Sequence, residues 1–277
     1  DGKSSFRREI KFGFTGDLGR PNLPILRDPE FIGDVDVLIS ESTYGGRFHT
    51  SVDEMPQKFE SVVANTVQRG GKIIIPAFSV GRTQELVYTM HLLKEQGRLQ
   101  NIPIYVDSPL STGATEVFRN HPECFDEETL GLLKREDDPF GFNRLTYIRS
   151  VDESKKLNER TEPCIIIASS GMCEAGRIRH HIANNIGNPR NTILIVGYQA
   201  EHTLGRRLVE QDKEVTIFGE AHERKCEVIV MNSFSAHADR NELLSYFNHF
   251  DRKCLKNVFL VHGDPDQAEK LSGGLKG

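Results

Sequence analysis

The chain has 277 residues, enough for one large domain or two ordinary ones, and 37% of them are apolar, as in a typical globular protein. With 35 basic against 40 acidic residues the formal charge is −5, which excludes global attraction to polyanions; a nucleic-acid function needs a local basic groove. No apolar run approaches the roughly 20 residues that cross a bilayer, so no membrane partner is expected. The five cysteines are too scattered for a structural zinc, and isolated thiols point to a reducing compartment, the cytoplasm.

In chain order, the pattern predicts a strand over Glu9–Thr15, a glycine-flanked turn at Asp17, and an apolar strand from Val35 to Ser40 that ends on Glu41. A helix from Val52 to Gln68, capped by Ser51, stops at Gly70-Gly71. Lys72–Phe78 is a continuous apolar run suited to a strand buried on both faces. A helix (Thr83–Gln96), a strand (Ile102–Asp107) and a helix (Ser111–Arg119) continue the alternation, which argues for a parallel α/β sheet. The polar stretch Phe125–Asn143, with Asp137 in it, reads as a short helix plus loop. Beyond it come a strand (Tyr147–Arg149), a helix (Val151–Glu159), a buried strand (Cys164–Ser169) and a helix (Gly176–Asn184). They are followed by a buried strand (Thr192–Gly197), a helix (Thr203–Gln211) and strands over Glu214–Phe218 and Glu227–Met231. A helix (Arg240–Phe250), a strand (Asn257–Val261) and a final helix complete the chain. No repeat or Gly/Ser linker separates modules, and the middle of the chain looks inserted into the rest.

Four chemically active side chains sit where strands end or turns begin: Asp17, Glu41, His237 and His262. Acids and imidazoles at strand ends are how an α/β scaffold assembles a hydrolytic metal site. Singly, Asp17 also reads as a turn aspartate, His237 as a helix-start histidine and His262 as a packed strand-end imidazole. Glu41 is different, because a carboxylate ending an apolar strand is costly unless paired. Three turns in the middle share one pattern of apolar strand, small polar residues, glycine and helix: Phe78–Thr83, Ala168–Met172 and Gly197–Arg206. Free N–H groups at a helix start beside hydroxyls suit phosphate. The candidates for it are Ser79, Gly81 and Arg82; Ser169, Ser170 and Gly171; and Tyr198, Thr203 and Arg206. His180 and His181, beside Arg177 and Arg179, read as a solvated or RNA-facing helix surface.

The series Phe-Thr-Gly-Asp-Leu-Gly-Arg, Glu-Ser-Thr-Tyr-Gly, Ile-Pro-Ala-Phe-Ser-Val-Gly-Arg, Ser-Ser-Gly-Met, Gly-Tyr-Gln-Ala-Glu-x-Thr-Leu-Gly, Phe-Ser-Ala-His-Ala-Asp and Val-His-Gly-Asp, in this order, resembles the β-CASP branch of the metallo-β-lactamase superfamily. These are RNA-processing nucleases related to the polyadenylation endonuclease and to bacterial RNase J. The resemblance implies a parallel-sheet β-CASP cap inserted into a partial αββα lactamase-like domain. The implied division is residues 1–43 and 222–277 for the lactamase-like part and 44–221 for the cap. RNA is the implied substrate and two zinc ions the implied cofactor. Asp17 matches the aspartate that bridges the two zinc ions, His262 a ligand of the second, Glu41 the acid of motif A, and His237 the motif B histidine. In the mechanism this implies, His237 protonates the leaving oxygen and Glu41 orients it, while the three glycine turns hold flanking phosphates.

One departure is large. The family's His-x-His-x-Asp-His zinc motif does not occur in these residues, and its expected place is upstream of Asp1. Smaller departures are His202, where a glycine is common, and Asp264, where glutamate is common. Zinc in a hydrolytic site takes about three or four protein ligands. Asp17 and His262 alone are expected to hold it weakly, making this polypeptide an incomplete, inactive fragment of a ribonuclease. The lactamase-like part is then expected to need another chain, a homodimer partner or repacking to cover an apolar face. The alternative reading is a non-catalytic RNA-binding subunit of an RNA-processing complex; a third, disfavoured by the phosphate-type turns, is small-molecule or acyl hydrolysis.

Overall fold

The computed structural model describes residues 9–49, 54–135, 138–231 and 234–275; Ser51 and Asp137 lie outside these. By contact density the chain forms two compact units, one of residues 1–23, 28–49 and 236–277, the other of residues 24–27 and 50–235. These divisions differ from 43/44 and 221/222. The main reason is the strand Glu227–Val230, which pairs in parallel with Thr192–Ile195 and so belongs to the sheet of the second unit.

In the first unit, β1 (Phe12–Phe14), β2 (Val37–Glu41) and β11 (Asn257–Val261) form a parallel sheet in the order β1-β2-β11. Its faces differ. Leu38, Val258 and Leu260 pack with Leu243, Phe247 and Leu271, which come from α8 (Arg240–Phe247) and α9 (Pro265–Leu275). On the opposite parity Phe12, Phe14 and Phe259 are 67%, 66% and 57% exposed, so this face is apolar and uncovered by the described residues.

The second unit is built on six parallel strands in the order β10-β7-β3-β6-β4-β5. In chain order these are β3 (Ile73–Pro76), β4 (Ile104–Val106), β5 (Leu145–Tyr147), β6 (Ile165–Ala168), β7 (Thr192–Ile195) and β10 (Glu227–Val230). The three central strands are buried at every position. Their alternation divides the apolar load between two layers. Ile73, Ile75, Ile165 and Ile167 pack with Phe59, Val63, Leu86 and Met90, from α1 (Met55–Gln68) and α2 (Arg82–Glu95). Ile74, Ile166, Ile193 and Ile195 pack with Leu157, Ile178, Ile182 and Leu208. Those residues come from α5 (Val151–Glu159), α6 (Arg177–Asn185) and α7 (Leu204–Val209). Helices α3 (Pro109–Asn120) and α4 (Glu127–Lys134) complete the unit with a hairpin of β8 (Glu214–Ile217) and β9 (Glu220–Glu223).

The expected parallel α/β architecture is present, with element ends shifted by a few residues. Strand β9 was not expected, because Glu-Ala-His-Glu lacks apolar alternation. It forms because Phe218 and Gly219, both at positive φ, make a two-residue turn of type I′ character. His181 is fully buried and so not part of a solvated surface. Its ring bonds to Asp107 Oδ2 at 2.6 Å and Asn158 Oδ1 at 2.9 Å. Three of the five cysteines are buried; Cys124 and Cys254 are exposed, and all are free thiols.

Candidate functional site

In the first unit, neighbouring strands β2 and β11 end side by side, Val261 opposite Glu41, so Glu41 and His262 arrive at one sheet edge. Position 262 has a φ of 51°, and a side chain at Gly263 would come within 2.5 Å of the Ser42 carbonyl. Glycine there lets the chain turn against β2. Thr43 donates its hydroxyl to the His262 carbonyl at 2.7 Å. The turn after β1 is held to the segment carrying His237 by a Gly19–His237 bridge and by Ala238 N–H donating to Leu18 O at 2.9 Å. Just beyond, Asp239 caps α8 in a reciprocal box with Glu242, and Arg20 donates to Glu242 at 3.1 Å.

This local order brings all four residues together. Ligand atoms of Asp17, His237 and His262 lie within 4.8 Å of one another. His262 Nδ1 is 3.2 Å from Asp17 Oδ1, and the two imidazole rings are 5.6 Å apart between centroids. Glu41 is 1% exposed and accepts from Leu18 N–H at 2.5 Å and from His237 Nδ1 at 2.9 Å. With the Glu41 carboxylate as acceptor, the Nδ1 proton is fixed and the Nε2 lone pair or proton is presented elsewhere. One carboxylate and two imidazoles are the donor types zinc takes, so these residues fit such an ion in kind. His237 therefore stands with Asp17 and His262 in space, although the sequence reading kept it apart from the metal ligands.

In the second unit the glycine turns behave differently from one another. Strands β3, β6 and β4 are neighbours, so the residues after them meet. Ser169 Oγ lies 2.6 Å from Ser79 Oγ and 2.8 Å from Ser108 Oγ, and Ser79 and Ser108 are 3.4 Å apart. Ser108 was not singled out in the sequence. The signal available was Asp-Ser-Pro after a short strand, in which Ser108 also caps α3 by accepting from Ser111 N–H at 3.1 Å. Gly81 has a φ of 79°, and Gly171 leaves room for the Phe78 ring, which a Cβ would meet at 2.7 Å.

Other expected phosphate contacts are engaged within the protein. Arg82 is buried, ion-paired with Glu85, and 5.9 Å from the Phe234 ring. Ser170 Oγ accepts from Ala175 N–H at 3.2 Å. Thr203 caps α7, and Arg206 bonds Glu210 at 2.6 Å, which raises its pKa. The first N–H of α7, at Leu204, donates to the Glu174 carboxylate at 2.5 Å, so this turn carries its own anion. Tyr198 is half-buried. Beneath the hydroxyl cluster, Asp107 accepts from Ser154 Oγ at 2.5 Å, Arg177 at 2.6 Å and His181 at 2.6 Å. Burial alone would raise its pKa, but the bonds from His181, Ser154 and Arg177 outweigh burial and lower it.

Residues 83–208 match the Beta-Casp domain, and residues 221–276 match the Zn-dependent metallo-hydrolase RNA specificity domain. A ribonuclease of Thermus thermophilus is 33% identical over 92% of this chain and 57% of its own. An RNase J-like protein of Methanocaldococcus jannaschii is 32% identical over 96% of this chain and 62% of its own. The transcription termination factor FttA of Methanosarcina mazei is 33% identical over 87% and 39%. The chain thus spans between about two fifths and three fifths of the length of these relatives. With both domain matches falling on the units that carry the metal-type cluster and the hydroxyl cluster, the chain belongs to the β-CASP family of the metallo-β-lactamase superfamily.

Proposed function

We propose that this chain is part of a zinc-dependent ribonuclease that hydrolyses RNA phosphodiester bonds in cytoplasmic RNA processing. The observation that carries the reading is the convergence of Asp17, His237 and His262, with buried Glu41 behind His237. The relatives named as a ribonuclease and as RNase J-like support it, as does the match to a domain described by RNA specificity. None of the described helices is long and apolar enough to cross a membrane.

Asp17 and His262 would hold metal. When bound, a zinc pair supplies Lewis-acid stabilisation of charge on the phosphoryl oxygens and lowers the pKa of water toward about 7. His237 donates a proton to the leaving oxygen. Glu41 accepts the Nδ1 hydrogen bond and so holds the ring's orientation during the transfer. In the other unit, the Ser79, Ser108 and Ser169 hydroxyls provide donors for phosphate oxygens of bound RNA, and Gly81 and Gly171 allow close approach of the backbone.

The test is His237→Ala in the intact protein. Single-turnover cleavage of labelled RNA is expected to fall by roughly 10²–10⁴, with RNA affinity retained. Cleavage at the wild-type rate would remove His237 as the acid.

A further inference from the structure

On the sheet face covered by α5, α6 and the β8–β9 hairpin, the second unit carries a concave surface that the hydrolytic reading does not use. Its larger cavity has a volume of about 690 Å3 and is lined by Lys155, Asn158, Arg177, Arg179, His180 and Phe218 among others. A second hollow of about 390 Å3 shares Asn184 with it and runs along the hairpin past His222, Glu223 and Lys225, the last two ion-paired at 2.9 Å.

Three observations give this groove a chemistry. Its charge opposes that of the chain: Lys155 and Arg179 line the larger cavity against one carboxylate, Glu159, while Arg177, also in its lining, is paired with buried Asp107, although the protein carries −5. Lys155 and Arg179 make no ion pair with any described residue, so their charge is available. Phe218 is 47% exposed at a φ of 54°, a turn position that ordinarily takes glycine, asparagine or aspartate. Finally, the aromatic ring already stands in a stack. The Arg179 guanidinium lies 4.2 Å from its centroid, and the His180 ring 4.5 Å away at 32°. The floor is fixed, because Arg177 and Ser154 are both bonded to buried Asp107. Cations spaced along a groove that also presents flat π-surfaces match a strand with phosphates and unstacked bases. A phosphorylated peptide would use the cations but leave the ring stack without a partner.

We propose that this groove is a second, non-catalytic binding surface for single-stranded RNA, with a base on the Phe218–His180 stack and phosphates against Arg179 and Lys155. It does not depend on the nuclease reading, because binding is read without cleavage. The experiment uses the full chain in chelator-containing buffer with a labelled oligouridylate, followed by fluorescence anisotropy across a salt series. Phe218→Ala is expected to weaken binding roughly tenfold, the loss of one base stack, while Phe218→Trp retains it. Lys155→Ala and Arg179→Ala are each expected to flatten the logarithmic salt slope by about 0.7. Photo-crosslinking with thiouridine RNA is expected to label the peptide containing Phe218, a readout that stands if one variant fails to fold. Unchanged affinity and slope in folded variants, with no crosslink there, would overturn the assignment. So would equal competition by uridine monophosphate or by a phosphoserine peptide.

Discussion

Both carboxylate oxygens of Glu41 are committed, one to the Leu18 amide and one to His237. Glu41→Gln keeps the shape but replaces a charge-assisted bond with a neutral one. Activity of the intact protein is expected to fall by roughly 10–100-fold, as for other partners that orient a site imidazole, with little loss of RNA affinity. Asp107 is the corresponding residue in the second unit. Its pKa in the folded protein lies below the ordinary 3.8. The stability it confers is therefore complete above that value and is lost as pH falls through the depressed folded pKa. Asp107→Asn leaves Arg177 and His181 without their buried counter-charge and is expected to cost about 3–5 kcal/mol. Urea titration near neutral pH measures the cost, and a thermal melt series into acid should show the variant losing less stability there than wild type. Of the site residues, Asp17, Glu41 and His262 were legible one by one because each ends or follows an apolar strand; His237 was expected at a strand end too, but β10 ends at Val230, well before it. Their convergence was expected from acids and imidazoles far apart in sequence; the strand order that brings β1, β2 and β11 side by side was not legible from spacing.

Strand and helix cores were readable from apolar runs and from glycine and serine punctuation; the ends were not, because ladder pairing decides them. Ile73–Pro76 stops pairing before Phe78 although the apolar run continues. The three glycine turns differ by element. After β3 and β6 the hydroxyls meet because those strands are neighbours, and β4 adds Ser108 by the same logic. After β7 the helix start was already satisfied by Glu174, a residue that no local pattern connects to it. The close packing of β11 on β2 carries a prediction of its own. Gly263→Ala forces a Cβ toward the Ser42 carbonyl and displaces His262. Since a misplacement of about 1 Å can cost 10²-fold, a loss of roughly that size in cleavage is expected. Circular dichroism should show the fold retained.

For the molecule as a whole, the apolar outer face of the three-stranded sheet is the feature with the most physical consequence. Phe12, Phe14 and Phe259 lie on it, all more than half exposed. A contiguous face of this kind marks a surface that associates. The 277-residue polypeptide is expected to self-associate with rising concentration, as read by sedimentation velocity, and Phe12→Lys with Phe259→Lys should shift it toward monomer. The division by contact density differs from seams at 43/44 and 221/222 because it follows which sheet each bordering strand joins.

Residues 24–27 are a short example of the same dependence. Ile25 is fully buried at a φ of 83° in the core around Phe59 and Phe125, and its carbonyl accepts from Asp126 N–H at 2.9 Å. This tetrapeptide works as a latch, donated to the inserted body from a stretch of chain that precedes it. A transplant cut at residues 50 and 235 would carry an empty socket where the isoleucine sat, a loss of about 2–5 kcal/mol. Supplying the latch again, as a separate peptide or spliced onto the new terminus by permutation, should restore its melting temperature.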